Sequence, residues 1–289
     1  MPARRELVHR STGPVVALCL LVCLIVEGFP QPGFAQEHLV RFVQFQREVI
    51  ENRLRRFAKE NANRESNLKQ IFMEAGCDGD RLREQPVKHQ KLPNVICTLP
   101  GSSDSVIVIG AHFDHVERGD GVVDNWSGAA LLPSLFQSLS GEPRKHSIVF
   151  IGFAAEEQGL IGSDFYVKQL TSEQTAKIQV MIDLDSLGLG PTKIWLSHSD
   201  EKLANTLNAI AASTKLPLAG LNADQVGDED STSFRKRHVP TIMLHSVTQP
   251  TLSILHSDKD NLSAIRLDDY YDSYHLIAAY LAYLDGKLN

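Results

Sequence analysis

Cysteine is scarce in this chain of 289 residues, with four in all. That excludes a disulfide-rich scaffold. A basic patch is lacking too. Net charge is −6, and the densest basic runs, RLRR at 53–56 and RKR at 235–237, are short and flanked by polar residues. Solvated helix faces look like this, and nucleic-acid binding is not expected. No apolar run is long enough for a comfortable membrane span: the longest, Val15 to Val26, has twelve residues. Internal repeats and low-complexity tracts are absent, as is any Pro/Gly/Ser-rich linker between residues 90 and 289.

What is present suits one large domain or two small ones. The chain is 43% hydrophobic and 22% charged, enough for a sizeable core. Arg4, Arg5 and Arg10 precede the apolar run, and Gly33-Phe34-Ala35 offers small residues where a signal peptidase reads. A signal peptide over residues 1–35, cleaved after Ala35, is expected. The protein would then be secreted or periplasmic and meet the membrane transiently. The alternative is an uncleaved N-terminal anchor, against which the break at Glu27-Gly28-Phe29-Pro30 argues. Cys19 and Cys23 leave with the leader. Cys77 and Cys97 remain, either paired or as buried free thiols, and two cysteines alone cannot make a structural zinc site.

Apolar spacing predicts a helix within 37–60 and a second over Ser66–Ala75, stopped by Gly76. Further on, strands are expected at Asn94–Leu99, Ser105–Ala111, Ser147–Phe153, Ile178–Leu184, Lys193–Ser197 and Thr241–His245. Helices are expected at Ser127–Ser138, Leu160–Leu170, Glu201–Ser213 and Asp268–Leu284. This alternation implies an α/β fold: a mixed, largely parallel central sheet with helices on both faces. Residues 36–93 would form a helical N-terminal arm packed on a catalytic domain at 94–289.

Ligands of open α/β sheets gather at the carboxyl ends of the strands, and there this sequence places its imidazoles and carboxylates. Ala111-His112-Phe113-Asp114-His115 ends one strand. Gly121-Val-Val-Asp124-Asn125-Trp126-Ser127-Gly128 follows, with Ser127 a plausible helix N-cap. Glu156-Glu157 ends a second strand, Asp183-Leu184-Asp185 a third, and His256 precedes Ser257-Asp258-Lys259-Asp260. Taken singly, each has a plain structural reading: Asp124 a turn residue, His112 a core histidine, Glu156-Glu157 a solvated helix start. Together, His112, Asp124, Glu157, Asp185 and His256 make a ligand set suited to zinc, with Glu156 left over as a base. For His115, His198, His238 and His245 the structural reading is preferred. Asn125-Trp126-Ser127 and Asn261-Leu262-Ser263 match the glycosylation sequon, but the first lies within the candidate metal loop.

These motifs, in this order and spacing from about Asn94 onward, resemble those of secreted di-zinc aminopeptidases of metallopeptidase family twenty-eight, which also contains glutaminyl cyclases. The resemblance implies two zinc ions. One would lie on Asp124, Glu157 and His256, the other on His112, Asp124 and Asp185, with Asp124 bridging. It also implies Glu156 as general base, Asp114 hydrogen-bonded to His112, and a cis peptide after Asp124. Asp183 stands where the pattern has Asn, which makes it a rival to Asp185; the Ser186-Leu187-Gly188 that follows favours Asp185. Glu229-Asp230-Ser231 stands where the pattern has Ser-Asp-His. Asp230 and Phe234, with Ile242, are the expected substrate-pocket residues. The implied activity is removal of N-terminal residues from peptides with a free N-terminus, by a monomer. The alternatives are a glutaminyl-peptide cyclotransferase, a carboxypeptidase or dipeptidase, and a non-enzymatic binding module that kept the fold.

Overall fold

The computed structural model describes residues 24–25, 39–223 and 227–288. Apart from Leu24 and Ile25, the expected signal peptide and its cleavage position after Ala35 lie outside these residues. Strand β1 (Leu24–Ile25) pairs antiparallel with β2 (Leu39–Val40). No helix among the described residues is long and apolar enough to cross a membrane.

The N-terminal helices differ from the expectation in their limits. Helix α1 spans Arg47–Leu54, not most of 37–60. Its last turn closes with Arg55 N–H donating to the Glu51 carbonyl, after which the chain bends toward α2 (Asn61–Glu74). Helix α2 starts before Ser66 because its first buried position is Arg64, a charged residue that an apolar periodicity does not count. Both helices share one core with the rest of the chain through Ile50, Leu54, Leu68, Ile71 and Phe72.

Eight strands form the main sheet: β3 (Leu82–Gln85), β4 (Asn94–Leu99), β5 (Val106–His112), β6 (Ser147–Phe153), β7 (Ile178–Leu184), β8 (Thr192–Ile194), β9 (Leu218–Gly220) and β10 (Thr241–His245). Their order is β3-β4-β6-β5-β7-β10-β8-β9. The four central strands β6, β5, β7 and β10 run parallel, while β4 is antiparallel to β6 and β8 to β10. The expected Lys193–Ser197 strand is cut short because Leu196–His198 turn into a 3₁₀ helix. Edge strands β3 and β9 escape the sequence reading because most of their side chains are exposed or half-buried, so they carry no buried hydrophobic pattern.

Central strands buried on both faces read as unbroken apolar runs, and β5 is such a strand. Ile107, Ile109 and Ala111 enter the larger hydrophobic layer, and Val108 enters the smaller one. The larger layer is covered by α1, α2, α3 (Ser127–Ser140), α6 (Glu201–Thr214) and α8 (Leu267–Lys287). The smaller layer lies under α4 (Ile161–Gln169) and α7 (Ser231–Arg235), through Tyr166, Val167 and Phe234. Helix α5 (Ser172–Lys177) opens on a capping box between Thr171 and Gln174. From β5 the chain passes through α3 to β6 on one side, then through α4 and α5 back to β7 on the other. The strand order therefore reverses at β5, and a crevice opens at its carboxyl end, at His112.

Cys77 and Cys97 form a disulfide, Cα atoms 6.3 Å apart, which ties the exit of α2 to β4. Both residues are fully buried. Replacing both by Ser is expected to lower the unfolding free energy by about 3 kcal/mol, given a loop of about 20 residues. The urea midpoint reads this directly; an unchanged midpoint would mean that the crosslink carries no stability.

Candidate metal centre

The five expected donors and Glu156 each sit at the carboxyl end of a central strand or on the chain that follows it. His112 is the last residue of β5, Glu156 and Glu157 follow β6, Asp185 follows β7, and His256 lies beyond β10. Asp124 arrives on the loop between β5 and α3, where the Asp124–Asn125 peptide bond is cis. Three of these turns use left-handed backbone at residues other than glycine: Ala155 (φ 56°), Ser186 (φ 57°) and His256 (φ 54°). Such conformations cost of order 1–3 kcal/mol each and tend to persist where a site requires them.

The geometry converges on Asp124. Its Oδ1 lies 3.2 Å from His112 Nε2 and its Oδ2 lies 3.1 Å from His256 Nε2. His256 Nε2 is also 3.2 Å from Glu157 Oε2, and His112 Nε2 is 3.7 Å from Asp185 Oδ1. Two donor groups result, His112–Asp124–Asp185 and Asp124–Glu157–His256, each with ligand atoms within 4.8 Å of one another. A third grouping, His112–Glu156–Glu157, overlaps both. The first two share one carboxylate, use all five expected donors and leave Glu156 free, 3.9 Å from His112 Nε2.

Local hydrogen bonds aim these donors. His112 Nδ1 lies 3.0 Å from the Asp114 carbonyl oxygen. Donation there leaves the lone pair on Nε2, the nitrogen facing Asp124 and Asp185. The Asp114 carboxylate, expected to hold His112, is 3.7 Å from Nδ1 and instead accepts from the backbone amides of Glu156 (3.1 Å) and Glu157 (3.3 Å). It thus fixes the turn that presents the paired glutamates. Asp260 accepts from the amides of Val123 (2.7 Å) and Asp124 (3.2 Å). The Asn125 side chain donates to the Leu184 carbonyl (2.7 Å) and accepts from the Ser186 amide (3.2 Å), joining the Asp124 loop to the Asp185 loop. Ser127 is not an N-cap. The helical turn already includes it, and its hydroxyl donates to the Val123 carbonyl and accepts from the Leu187 amide. A side chain at Gly128 would strike the Leu184 carbonyl, which is why that loop closes on glycine.

The site crowds buried acids. Burial pushes Glu156 up to about 9, with Asp230, Asp185 and Asp124 adding to the shift and His112 opposing it. Asp185 is raised by burial and by the Asp124 charge. Hydrogen bonds to Asp124 and Glu157 raise His256 to about 10. Buried charges want partners, and Glu157 Oε1 finds no hydrogen-bond partner among the described residues. Two imidazole nitrogens facing one shared carboxylate, with an unpaired carboxylate oxygen beside them, fit a borderline metal such as zinc, which would take the place of the protons these nitrogens otherwise hold. The cavity above them, about 370 Å³, is open to solvent and also lined by Leu160, Asp228 and Lys236.

The remaining expectations divide. Asp183 accepts from the Ser231 amide at 2.6 Å, and of the two aspartates Asp185 is the one that joins a donor group. Asp230 is buried, and neither of its carboxylate oxygens has a well-formed hydrogen bond among the described residues. Burial lifts it to about 7. Phe234 and Ile242 are not pocket walls. Both are fully buried, and Phe234 packs edge-on against Phe153. His115, His198 and His245 bond to the Lys59 carbonyl, the Glu229 carboxylate and the Leu221 carbonyl respectively. Nothing in the sequence signals Arg64, and for Asn125 there is only a sequon match, discounted because it lies in the metal loop; both act on backbone groups.

Replacing Asp124 by Ala removes the one group common to both donor sets. The purified variant is expected to lose at least one equivalent of metal in elemental analysis; full metal content with normal activity would remove Asp124 from the site.

Comparison with known proteins adds an independent line. The curated relative leupeptin-inactivating enzyme 1 of Streptomyces exfoliatus is 31% identical over 170 residues, 57% of this chain. The chain spans 38% of that relative's length. The LapA aminopeptidase of Legionella pneumophila superposes with a TM-score of 0.71 at 20% identity, covering 84% of this chain and 73% of LapA. A glutaminyl cyclase from an Acidobacteriales bacterium superposes with a TM-score of 0.68 at 19% identity, covering 89% of this chain and 99% of the cyclase. The sequence pattern of Peptidase family M28 matches residues 94–281, a stretch that contains all five donors together with Glu156, and the chain belongs to that family.

Proposed function

We propose that the protein is a zinc-dependent aminopeptidase that removes N-terminal residues from peptides. The observation that carries this reading is the sharing of Asp124 between two histidine-anchored donor groups, with one acid, Glu156, left beside them. Each group would hold one zinc ion. Bound zinc would polarise the scissile carbonyl and acidify the attacking water. Glu156 takes the proton from that water as its oxygen bonds to the carbonyl carbon. It then returns the proton to the amine as the C–N bond breaks, and ends as the carboxylate it began as. Burial alone, which pushes Glu156 up to about 9, would leave it protonated; the positive charge of zinc in the donor groups would bring it back to the carboxylate that opens the cycle. The Asp114 carboxylate keeps Glu156 in place through its backbone amide. Asp228 at the cavity edge would supply negative charge where a protonated amino terminus would rest. Export of the protein as a monomer belongs to the same proposal, and the Cys77–Cys97 disulfide supports export because such bonds persist in oxidising compartments.

A second reading is favoured by one observation: nearly the whole length of the Acidobacteriales cyclase is covered. In a glutaminyl cyclase the substrate's own amine attacks and ammonia leaves. A protein covering residues 36–289, assayed with aminoacyl-amides and a glutaminyl peptide by mass spectrometry, separates the two. Stepwise loss of N-terminal residues supports the aminopeptidase; loss of ammonia from the glutaminyl peptide without hydrolysis supports the cyclase.

Glu156→Gln is expected to retain its metal while turnover falls about 10²–10⁴-fold, the range of a lost general base. Metal loss in that variant would exchange the roles given to Glu156 and Glu157.

A further inference from the structure

We propose that Arg64, assisted by Asn61, is a positioning residue of the metal centre: from α2 it clamps both ends of the loop that joins His112 to Asp124 and thereby sets the spacing of the two donor groups. The proposal rests on the reading of the five donors as a metal site. Arg64 is fully buried. Its guanidinium donates to the Phe113 carbonyl (3.1 Å), next to His112, and to the carbonyls of Asp120 and Gly121 (2.8 Å for the latter), shortly before Asp124. A fourth bond, from Nε to the Ala58 carbonyl at 2.7 Å, anchors the arginine to its own arm. One side chain thus ties the start and the end of the loop to a single rigid plane.

Arginine suits this task. Its five donors form a planar fork, whereas a lysine ammonium is a point charge on a flexible stem. The loop is moulded to the fork. At Gly121 (φ 55°) an added Cβ would lie 2.8 Å from Arg64 Nη2 and 2.4 Å from His115 Cβ. The guanidinium also lies 5.8 Å from the Trp126 ring, whose Nε1–H donates to the Leu54 carbonyl of α1. Asn61 grips the middle of the loop: its Oδ1 accepts from the His115 amide (3.1 Å) and its Nδ2 donates to the His115 carbonyl (3.2 Å). Arg64 and Asn61 therefore hold the loop through its backbone groups, which leaves the donor side chains free to face one another.

The test compares wild type, R64K, R64M and N61A, with I71V as a control that trims the core face of the same helix. Zinc affinity is measured by chelator competition and donor geometry by the visible spectrum of the cobalt-loaded protein. R64M and R64K are both expected to bind zinc about 10–100-fold more weakly, the usual effect of losing a group that orients a ligand, with a shifted cobalt spectrum. N61A should change in the same direction by less, and I71V should keep the wild-type affinity and spectrum. Lysine restoring full affinity would leave charge alone as Arg64's contribution and overturn the clamp. Folded R64K and N61A with wild-type affinity and spectrum would overturn it as well; those two carry the test if R64M does not fold. A wild-type protein that binds no zinc would defeat the metal reading and this proposal together. One that binds zinc but cleaves no peptide would defeat the aminopeptidase reading while the affinities still decide Arg64.

Discussion

Everything at the centre of this fold turns on one carboxylate held between two imidazoles. Asp124 places an oxygen about 3 Å from each of two histidine nitrogens, one at the end of β5 and one on the chain beyond β10. Around it sit Glu156, Glu157, Asp185 and, deeper, Asp230, all with little contact with water. Acids gathered this way repel one another and lose hydration, so the arrangement favours either uptake of protons or positive charge at its middle. The surrounding hydrogen bonds serve that arrangement: Asp260 holds the Asp124 backbone, Asn125 ties its loop to β7, and Asp114 holds the glutamate turn. Reversal of strand order at β5 supplies the crevice in which these loops can meet.

The strands and the donors were legible in the sequence for a shared reason. A central strand must be apolar on both faces, so a charged residue at the end of such a run stands out. The expected limits of β4, β6, β7 and β10 coincide with the observed ones. The edges were illegible because backbone pairing, not side-chain burial, defines β3 and β9. Phe234 misled for the opposite reason, since an aromatic beside a site motif looks the same in sequence whether it faces the cavity or the core. Arg64 and Asn125 act on carbonyl and amide groups far away in sequence, and no spacing rule encodes such partners.

The departure at Glu229-Asp230-Ser231 has a structural counterpart. With serine at 231, the loop is fastened through its backbone instead, by Asp183 accepting from the Ser231 amide. Glu229, buried beside Asp183, is held by His198 Nδ1 at 2.6 Å and by Arg235 Nη1 at 2.7 Å. Hydrogen bonds with His198, Asp183, Ser231 and Arg235 keep its carboxylate low, at about 2, against the effect of burial. Asp183, with Glu229 and Asp230 for neighbours, is driven strongly the other way by burial and by their charge.

The five donors span residues 112 to 256 and come from the ends of four strands, β5, β6, β7 and β10, or the loops that follow them. None of the donor groups is local, so no short segment of the chain could assemble one before the parallel strands have paired. Any ion held there binds the native state and ignores the unfolded chain, and its binding energy becomes folding energy. Each tenfold excess of free ion over its dissociation constant then adds about 1.4 kcal/mol to the stability of the native state. The metal content of the surroundings is in that sense a thermodynamic variable of the fold itself.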